Sequence, residues 1–347
     1  MRLIPAPCAP SLLLLWFALG AGCPTEVPDG PGPPEWSPAH RLDDVLRVNQ
    51  LQAEGTHNSY HQFPATTSVQ DWQYQHAPLD VQLGEQGVRQ FELDAYWNDG
   101  GFFEVLHAPV IDANTSCATL VECLQVVRGW SDAHPGHHPV FIWIEPKTAF
   151  PLGDGADYVD ALHAELRGVW PDRVVTPSQV LGDADDLASA VADPTPTHGW
   201  PLLGDARGTV VFVLLGLGPV HAWYTGLPME DQLLFTNGDV GDPSMAVTKI
   251  DDPVADEDRI RAAVEAGIVI RTRADGGLVE PMAEDTSRLE AALRSGAHSI
   301  STDIPGPDER FDYFVQMPEG TPSRCNPVTA PADCLATDIE DPTLLAP

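Results

Sequence analysis

The chain has 347 residues, 43% of them apolar and 20% charged, and 51 acidic residues against 18 Lys and Arg leave a formal charge of -33. That composition suits a packed core in one large or two smaller domains and excludes a disordered or fibrous chain. With only two Lys there is no basic face for a nucleic-acid backbone, and the net field repels anionic membranes, so an acidic phosphate ester would need a bound cation to attract it.

In chain order, Arg2 precedes an apolar run over 12–19 that is too short to span a bilayer, and small residues Gly20-Ala21-Gly22 lead into Cys23. Residues 1–22 read as a bacterial export signal of the lipoprotein type, with Cys23 as the lipidated N-terminus and membrane anchor; plain secretion is the alternative. The Pro- and Gly-rich stretch 23–40 reads as a tether, 41–335 as one catalytic domain and 336–347 as a tail. Cys8 lies in the signal, so four Cys remain in the mature domain. In an oxidising context two small loops, Cys117 with Cys123 and Cys325 with Cys334, are the simplest pairing of the three that sequence permits.

Short apolar runs at 51–55, 88–93, 102–106, 140–144, 210–215, 246–250, 268–270 and 299–304 are expected to be strands. Helical periodicity marks 120–133, 156–169, 256–266 and 286–295, the last two ending before Gly267 and Gly296. Alternating strands and helices in one domain predict a (β/α)8 TIM-like barrel rather than an open doubly wound sheet, and no Gly-x-Gly-x-x-Gly follows the first strand. The polar segment 183–203 reads as a long loop or an irregular helix.

Ionisable residues collect at the C-terminal ends of the first four strands, which in such a barrel open onto the active face. Glu92 and Asp94, two apart on a strand, point to one side and repel each other unless a positive charge lies between them. With Glu145 and the Asn58 oxygen they form an all-oxygen set suited to calcium or magnesium; the bland alternative is the solvated end of an edge strand. His57 and His107 follow different strands, and their unperturbed pKa suits one to act as base and the other as acid. His61 and His76 read as structural hydrogen-bonders, and His134, His137 and His138 as a solvated turn on the opposite face. Arg271 and Arg273 either clamp phosphate or ring hydroxyls or pair with nearby carboxylates, and Ser301, Thr302 and Asp303 support the site.

Taken together, Gly55-Thr56-His57-Asn58-Ser59-Tyr60-His61, Glu92-Leu93-Asp94, Leu106-His107, Ile144-Glu145-Pro146-Lys147, Arg271-Thr272-Arg273 and Ser301-Thr302-Asp303 resemble the calcium-dependent bacterial phosphatidylinositol-specific phospholipase C family over residues 49–334. The resemblance implies that His57 and His107 are catalytic and that Asn58, Glu92, Asp94 and Glu145 hold Ca2+. It also puts Lys147 near the phosphate. The implied reaction is attack by the inositol 2-hydroxyl to give diacylglycerol and inositol cyclic phosphate, on a phospholipid at a membrane surface with no protein partner. Two rivals are a glycerophosphodiester phosphodiesterase and a non-catalytic calcium-dependent lipid-binding lipoprotein. His57-Asn58 and His107-Ala108, in place of His-Arg and His-Asp, disfavour the first, and the paired histidines disfavour the second.

Overall fold

The computed structural model describes residues 40–345 apart from 66–67, 148–154, 217 and 321. The expected export signal, Cys23 and nearly all of the tether lie outside the described residues. Ten strands are present among those described: β1 (Leu51–Thr56), β2 (Gln90–Asn98), β3 (Phe102–Val105), β4 (Val140–Lys147), β5 (Val210–Leu214), β6 (Phe235–Thr236), β7 (Val247–Lys249), β8 (Val269–Arg273), β9 (Ser299–Thr302) and β10 (Ser323–Cys325). Eight run parallel in the order β6-β5-β4-β2-β1-β9-β8-β7. β6 and β7 share no ladder. The Asn237 side chain spans the gap, its Oδ1 accepting from Thr248 Oγ1 at 3.1 Å and Lys249 N at 3.0 Å, while its own backbone N–H donates to Leu214 O. The architecture is a nearly closed (β/α)8 barrel, as the alternation of elements predicts.

The period of two along each strand sorts side chains between two compartments. On β4, Val140, Ile142 and Ile144 join Phe91, Leu93 and Ala95 of β2 beneath helices Leu120–Ala133 and Gly155–Val169. The alternate residues Phe141 and Trp143 pack instead with Val211, Val213, Phe235 and Val247. These bulky groups fill the barrel below its mouth. In the same register Gln90, Glu92 and Asp94 of β2 lie opposite Phe141, Trp143 and Glu145 of β4, so the carboxylates share the inward face. Burying them there rests on the alternation, because Phe91, Leu93 and Ala95 must stay in the outer layer.

Several expectations need correction. The expected third barrel strand, β3, is antiparallel to β2, with Ala95 opposite Val105 and Asn98 opposite Phe102. The turn is made by Asn98-Asp99-Gly100-Gly101, where Asn98 Oδ1 accepts from Gly100 N at 2.7 Å and Gly101 has φ +85; this is hairpin chemistry. Its place in the barrel is taken by β6, two residues long and too short for a periodicity signal. The segment 183–203, by contrast, agrees with the irregular-helix reading: turns surround one short helix, Leu187–Ala192, capped by Asp186 Oδ1 on Ser189 N at 2.7 Å.

Nor are residues 336–340 a free tail. Ile339 and Glu340 are buried, and Glu340 takes the Arg89 guanidinium Nε at 3.1 Å through each oxygen and His138 N at 3.1 Å. Below them His137 and His138 are core residues rather than a solvated turn. Their rings pair with Ser131 Oγ at 2.6 Å and Ser323 Oγ at 2.7 Å, and burial lowers their pKa values to about 4 and about 3. The disulfides are Cys117–Cys123 and Cys325–Cys334, the sequence-local pairs. Among the described residues no helix is long and apolar enough to cross a membrane.

Candidate active site

The loop leaving β1 is stitched to its neighbours before any functional group is placed. His57 N donates to Thr302 O at 3.1 Å, Ser59 N to Glu92 O at 3.0 Å, and Glu92 N to Ser59 Oγ at 2.8 Å. Gln82 fastens it from the outer side, its Nε2 donating to Ser59 O at 2.7 Å. Between these anchors Asn58 adopts φ +45, a left-handed turn that Asn tolerates better than a bulky residue. Its amide nitrogen donates to Tyr74 Oη at 3.2 Å, which leaves its carbonyl oxygen as the atom available to a cation.

His57 and His107 are both partly exposed, with 24% and 21% of the side chain accessible. Each has a buried carboxylate on Nδ1. His57 Nδ1 lies 2.8 Å from Asp303 Oδ1, whose other oxygen accepts from Arg273 Nη2 at 2.8 Å. Burial alone would push the Asp303 carboxyl up, but Arg273 and His57 hold it well below the usual carboxylate range. Asp275 supports the same turn through Asp303 N at 2.9 Å, and burial together with Asp303 raises its pKa to about 7. His107 Nδ1 lies 2.7 Å from Asp112 Oδ2, across a turn closed by Ala108 N to Asp112 O at 2.8 Å and Asp112 N to Ala108 O at 2.9 Å. A carboxylate accepts only, so in both pairs the imidazole carries its hydrogen on Nδ1 and turns a basic Nε2 away.

Glu92, Asp94 and Glu145 form the acidic cluster, each offering an oxygen within 4.8 Å of the others. Glu92 Oε2 accepts from Arg271 Nη2 at 2.5 Å; burial opposes its charge, but Arg271 and His57 hold its pKa at about 2. Asp94 is the opposite case. Both its oxygens are buried without a hydrogen bond, and burial and Glu92 push its pKa well above the usual value. Lys147 Nζ stands 2.7 Å from Glu145 Oε1 and 3.4 Å from Asp94 Oδ2, the latter an ion pair rather than a hydrogen bond. The donor set fits a hard divalent cation: all oxygen, three carboxylates, and an unsatisfied buried Asp94 at the centre.

The basic residues sit differently from a set of phosphate clamps at an open mouth. Arg271 is 1% exposed and held by Glu92, Ser301 Oγ at 3.2 Å and the face of Trp143, so the ion-pair alternative applies. Arg273 is committed to Asp303. Lys147, paired with Glu145 and Asp94, is 27% exposed and the most accessible of the three. Sequence reasoning named Asp303 only as support and missed Asp112 and Tyr74. Asp112, five residues past His107, and Tyr74 both come from loops and carried no sequence signal.

This constellation can take a proton at one imidazole, deliver one at the other, and hold a cation among three carboxylates. The family description "Phosphoinositide phospholipase C, Ca2+-dependent" matches residues 46–104 and 98–327. No curated protein matches the chain in sequence. Among solved structures, the calcium-dependent phosphoinositol-specific phospholipase C of a Gram-negative Pseudomonas sp. in its apo form is 19% identical, with a TM-score of 0.59 over 84% of this chain and 100% of that one. Its myoinositol complex is 18% identical, with a TM-score of 0.57 over 81% and 95%. The Ca2+-dependent phosphatidylinositol-specific phospholipase C of Streptomyces antibioticus is 18% identical, with a TM-score of 0.54 over 75% and 96%. At these identities the structural likeness speaks for the barrel fold.

Proposed function

The chain belongs to the Ca2+-dependent phosphoinositide phospholipase C family, and from that premise we propose that it cleaves phosphatidylinositol-type phosphodiesters to diacylglycerol and inositol cyclic phosphate. The observation that carries the reading is the pair of partly exposed imidazoles, each with its Nδ1 on a buried carboxylate, beside a three-carboxylate cluster.

His57 Nε2 takes the proton of the inositol 2-hydroxyl as that oxygen bonds to phosphorus. The bond from phosphorus to the glycerol oxygen breaks, and His107, which enters the step as the imidazolium with its second proton on Nε2, gives that oxygen the proton. Asp303 selects the His57 tautomer and stabilises the imidazolium that forms on it, and Asp112 stabilises the His107 imidazolium from which the proton leaves. Asn58, Glu92, Asp94 and Glu145 would hold calcium, which when bound acidifies the hydroxyl and offsets charge growing on the phosphoryl oxygens. With a cation held by Glu145 and Asp94, Lys147 would lose both carboxylate partners and would be the side chain to meet a phosphate oxygen. Export and a lipid on Cys23 would keep this domain near its membrane substrate, and loss of membrane association in a Cys23→Ala chain would support that placement.

Phosphorus NMR of the protein with phosphatidylinositol micelles, with calcium and with a chelator, tests the reading. A cyclic inositol phosphate resonance that appears only with calcium supports it. Release of glycerol phosphate from glycerophosphodiesters, with phosphatidylinositol untouched, would overturn it in favour of a glycerophosphodiesterase.

A further inference from the structure

The first motif carries a second histidine, His61, buried with 0% of the residue exposed. Its Nε2 lies 2.9 Å from Asp112 Oδ2 and 3.1 Å from Asp112 Oδ1, the same carboxylate that orients His107. Its Nδ1 lies 3.1 Å from the Tyr74 carbonyl oxygen, its ring stacks on the Tyr74 ring at 4.4 Å, and it meets the His107 ring edge-on at 5.9 Å. The backbone fixes it from both sides, His61 N donating to Asn58 O at 2.8 Å and His76 N to His61 O at 2.9 Å.

Resting on the proposed reaction, we propose that His61 is a positioning residue for its acid half, locking Asp112 so that His107 keeps its hydrogen on Nδ1 and turns Nε2 to the leaving oxygen. Both ring nitrogens face acceptors, Tyr74 O and the Asp112 carboxylate, and the hydrogen on Nε2 is the one that ties the ring to Asp112. Contact with both carboxylate oxygens stops Asp112 from turning about its side chain. Without His61, the His107 side chain would be the one side-chain donor left to this buried carboxylate among the described residues, and nothing would stop it from turning about its side chain. That rotation would move the acceptor that holds the His107 Nδ1 hydrogen and aims Nε2 at the leaving oxygen. The base half is finished in the same manner by a different group: Arg273 Nη2 holds the second oxygen of Asp303. Each His–Asp pair is thus completed by a second donor, the partly buried Arg273 on one side and the buried His61 on the other.

A positioning role for an acid differs from a packing role in one readable way. Protonation matters when the departing oxygen is an alkoxide and hardly matters when it leaves as a stabilised phenolate. The test compares phosphatidylinositol micelles with 4-nitrophenyl inositol 1-phosphate, using the full chain with calcium. His61→Phe keeps the stack on Tyr74 and loses both ring hydrogen bonds. His61→Asn keeps a donor toward Tyr74 but falls short of Asp112, and His61→Gln places a donor near the Nε2 position. We expect His61→Phe and His61→Asn to lose about 10- to 100-fold in kcat on phosphatidylinositol, short of removing the acid itself, with KM little changed. On the nitrophenyl ester both should stay within about threefold of wild type, and His61→Gln should recover most of the loss on the lipid. Equal losses on both substrates, or a His61→Gln protein as weak as His61→Asn, would overturn the inference while the proposed function stands. A wild-type protein that turns over neither substrate would overturn both.

Discussion

Neutralising Asp94 separates the cost of the acidic cluster from its use. In the absence of calcium this carboxylate faces Glu92 and Glu145, each with an oxygen within 4.8 Å, and Lys147 Nζ at 3.4 Å. With an effective dielectric constant of about 20, each repulsion is at least about 3.5 kcal/mol and the attraction about 5 kcal/mol, a net penalty of about 2 kcal/mol before burial is counted. If the raised pKa lets Asp94 take up a proton instead, that penalty disappears. Asp94→Asn in chelator is therefore expected to melt between the wild-type temperature and about 5 °C above it. Calcium at 100 times its Kd should raise the wild type by about 2.7 kcal/mol and leave Asp94→Asn unmoved, reversing their order. Thermal melts followed by circular dichroism, with calcium and with chelator, read all four states. A mutant more than about 1 kcal/mol less stable than wild type in chelator would mean that the Lys147 pair outweighs the repulsion. A mutant stabilised by calcium as much as wild type would place the ion elsewhere.

The remaining expectations probe other parts of the site and its support. Asp303→Asn should lower kcat by about 10²- to 10⁴-fold with KM little changed, because an amide no longer selects the His57 tautomer; steady-state kinetics on phosphatidylinositol would show it, and a loss confined to KM would refute it. Lys147→Met removes the cation that occupies the Asp94 and Glu145 oxygens, so half-saturating calcium should fall by about tenfold while KM for the lipid rises. Glu340→Gln strands the buried Arg89 guanidinium at a cost of about 3 kcal/mol, read as a melting point lower by about 5–10 °C at pH 7 with activity at 25 °C kept. Arg89 holds the Glu340 pKa at about 2 despite burial. A depressed carboxyl stabilises fully above its unfolded pKa and loses that contribution as pH falls through its folded value, so mutant and wild-type melts should converge near pH 2.

The inward carboxylates and the strands that carry them were legible because burial on both faces forces short apolar runs, and two-residue alternation then fixes which polar residues share a side. Cys pairing was legible for a related reason, since separations of 6 and 9 residues leave little freedom in where the loops close. What failed was local order set by tertiary partners. β3 has an apolar pattern fit for a barrel strand, yet Asn98-Asp99-Gly100-Gly101 turns it back on β2; the turn residues outweighed the pattern. β6, with Phe235 and Thr236 alone, borrows its ladder from β5 and has no periodicity of its own. Residues 336–340 look like a tail in composition and are held by Arg89 and Arg41, whose acidic partners in this segment lie 251 and 297 residues away in the chain.

The histidines show what separates a reacting group from a structural one when spacing cannot. Most of the twelve are committed at a ring nitrogen to a carbonyl or hydroxyl: His61 to Tyr74 O, His76 to His57 O, His134 to Trp130 O, His221 to Asn237 O and His298 to Asn49 O. Burial lowers the pKa values of His76 and His298 to about 4, which keeps them neutral in ordinary buffers. His198 comes closest to the reacting pattern, with Asp183 on Nδ1 at 2.7 Å, but its Nε2 is taken by Asp193 O at 3.0 Å. Among the described residues, His57 and His107 alone combine a carboxylate on Nδ1, a partly exposed ring and an Nε2 that makes no hydrogen bond within the protein. A proton can be exchanged with a ligand only at a nitrogen the fold has left open. The carboxylate behind it sets which nitrogen that is, so the pair of Asp residues, one of them invisible in sequence, defines the site as much as the histidines they hold.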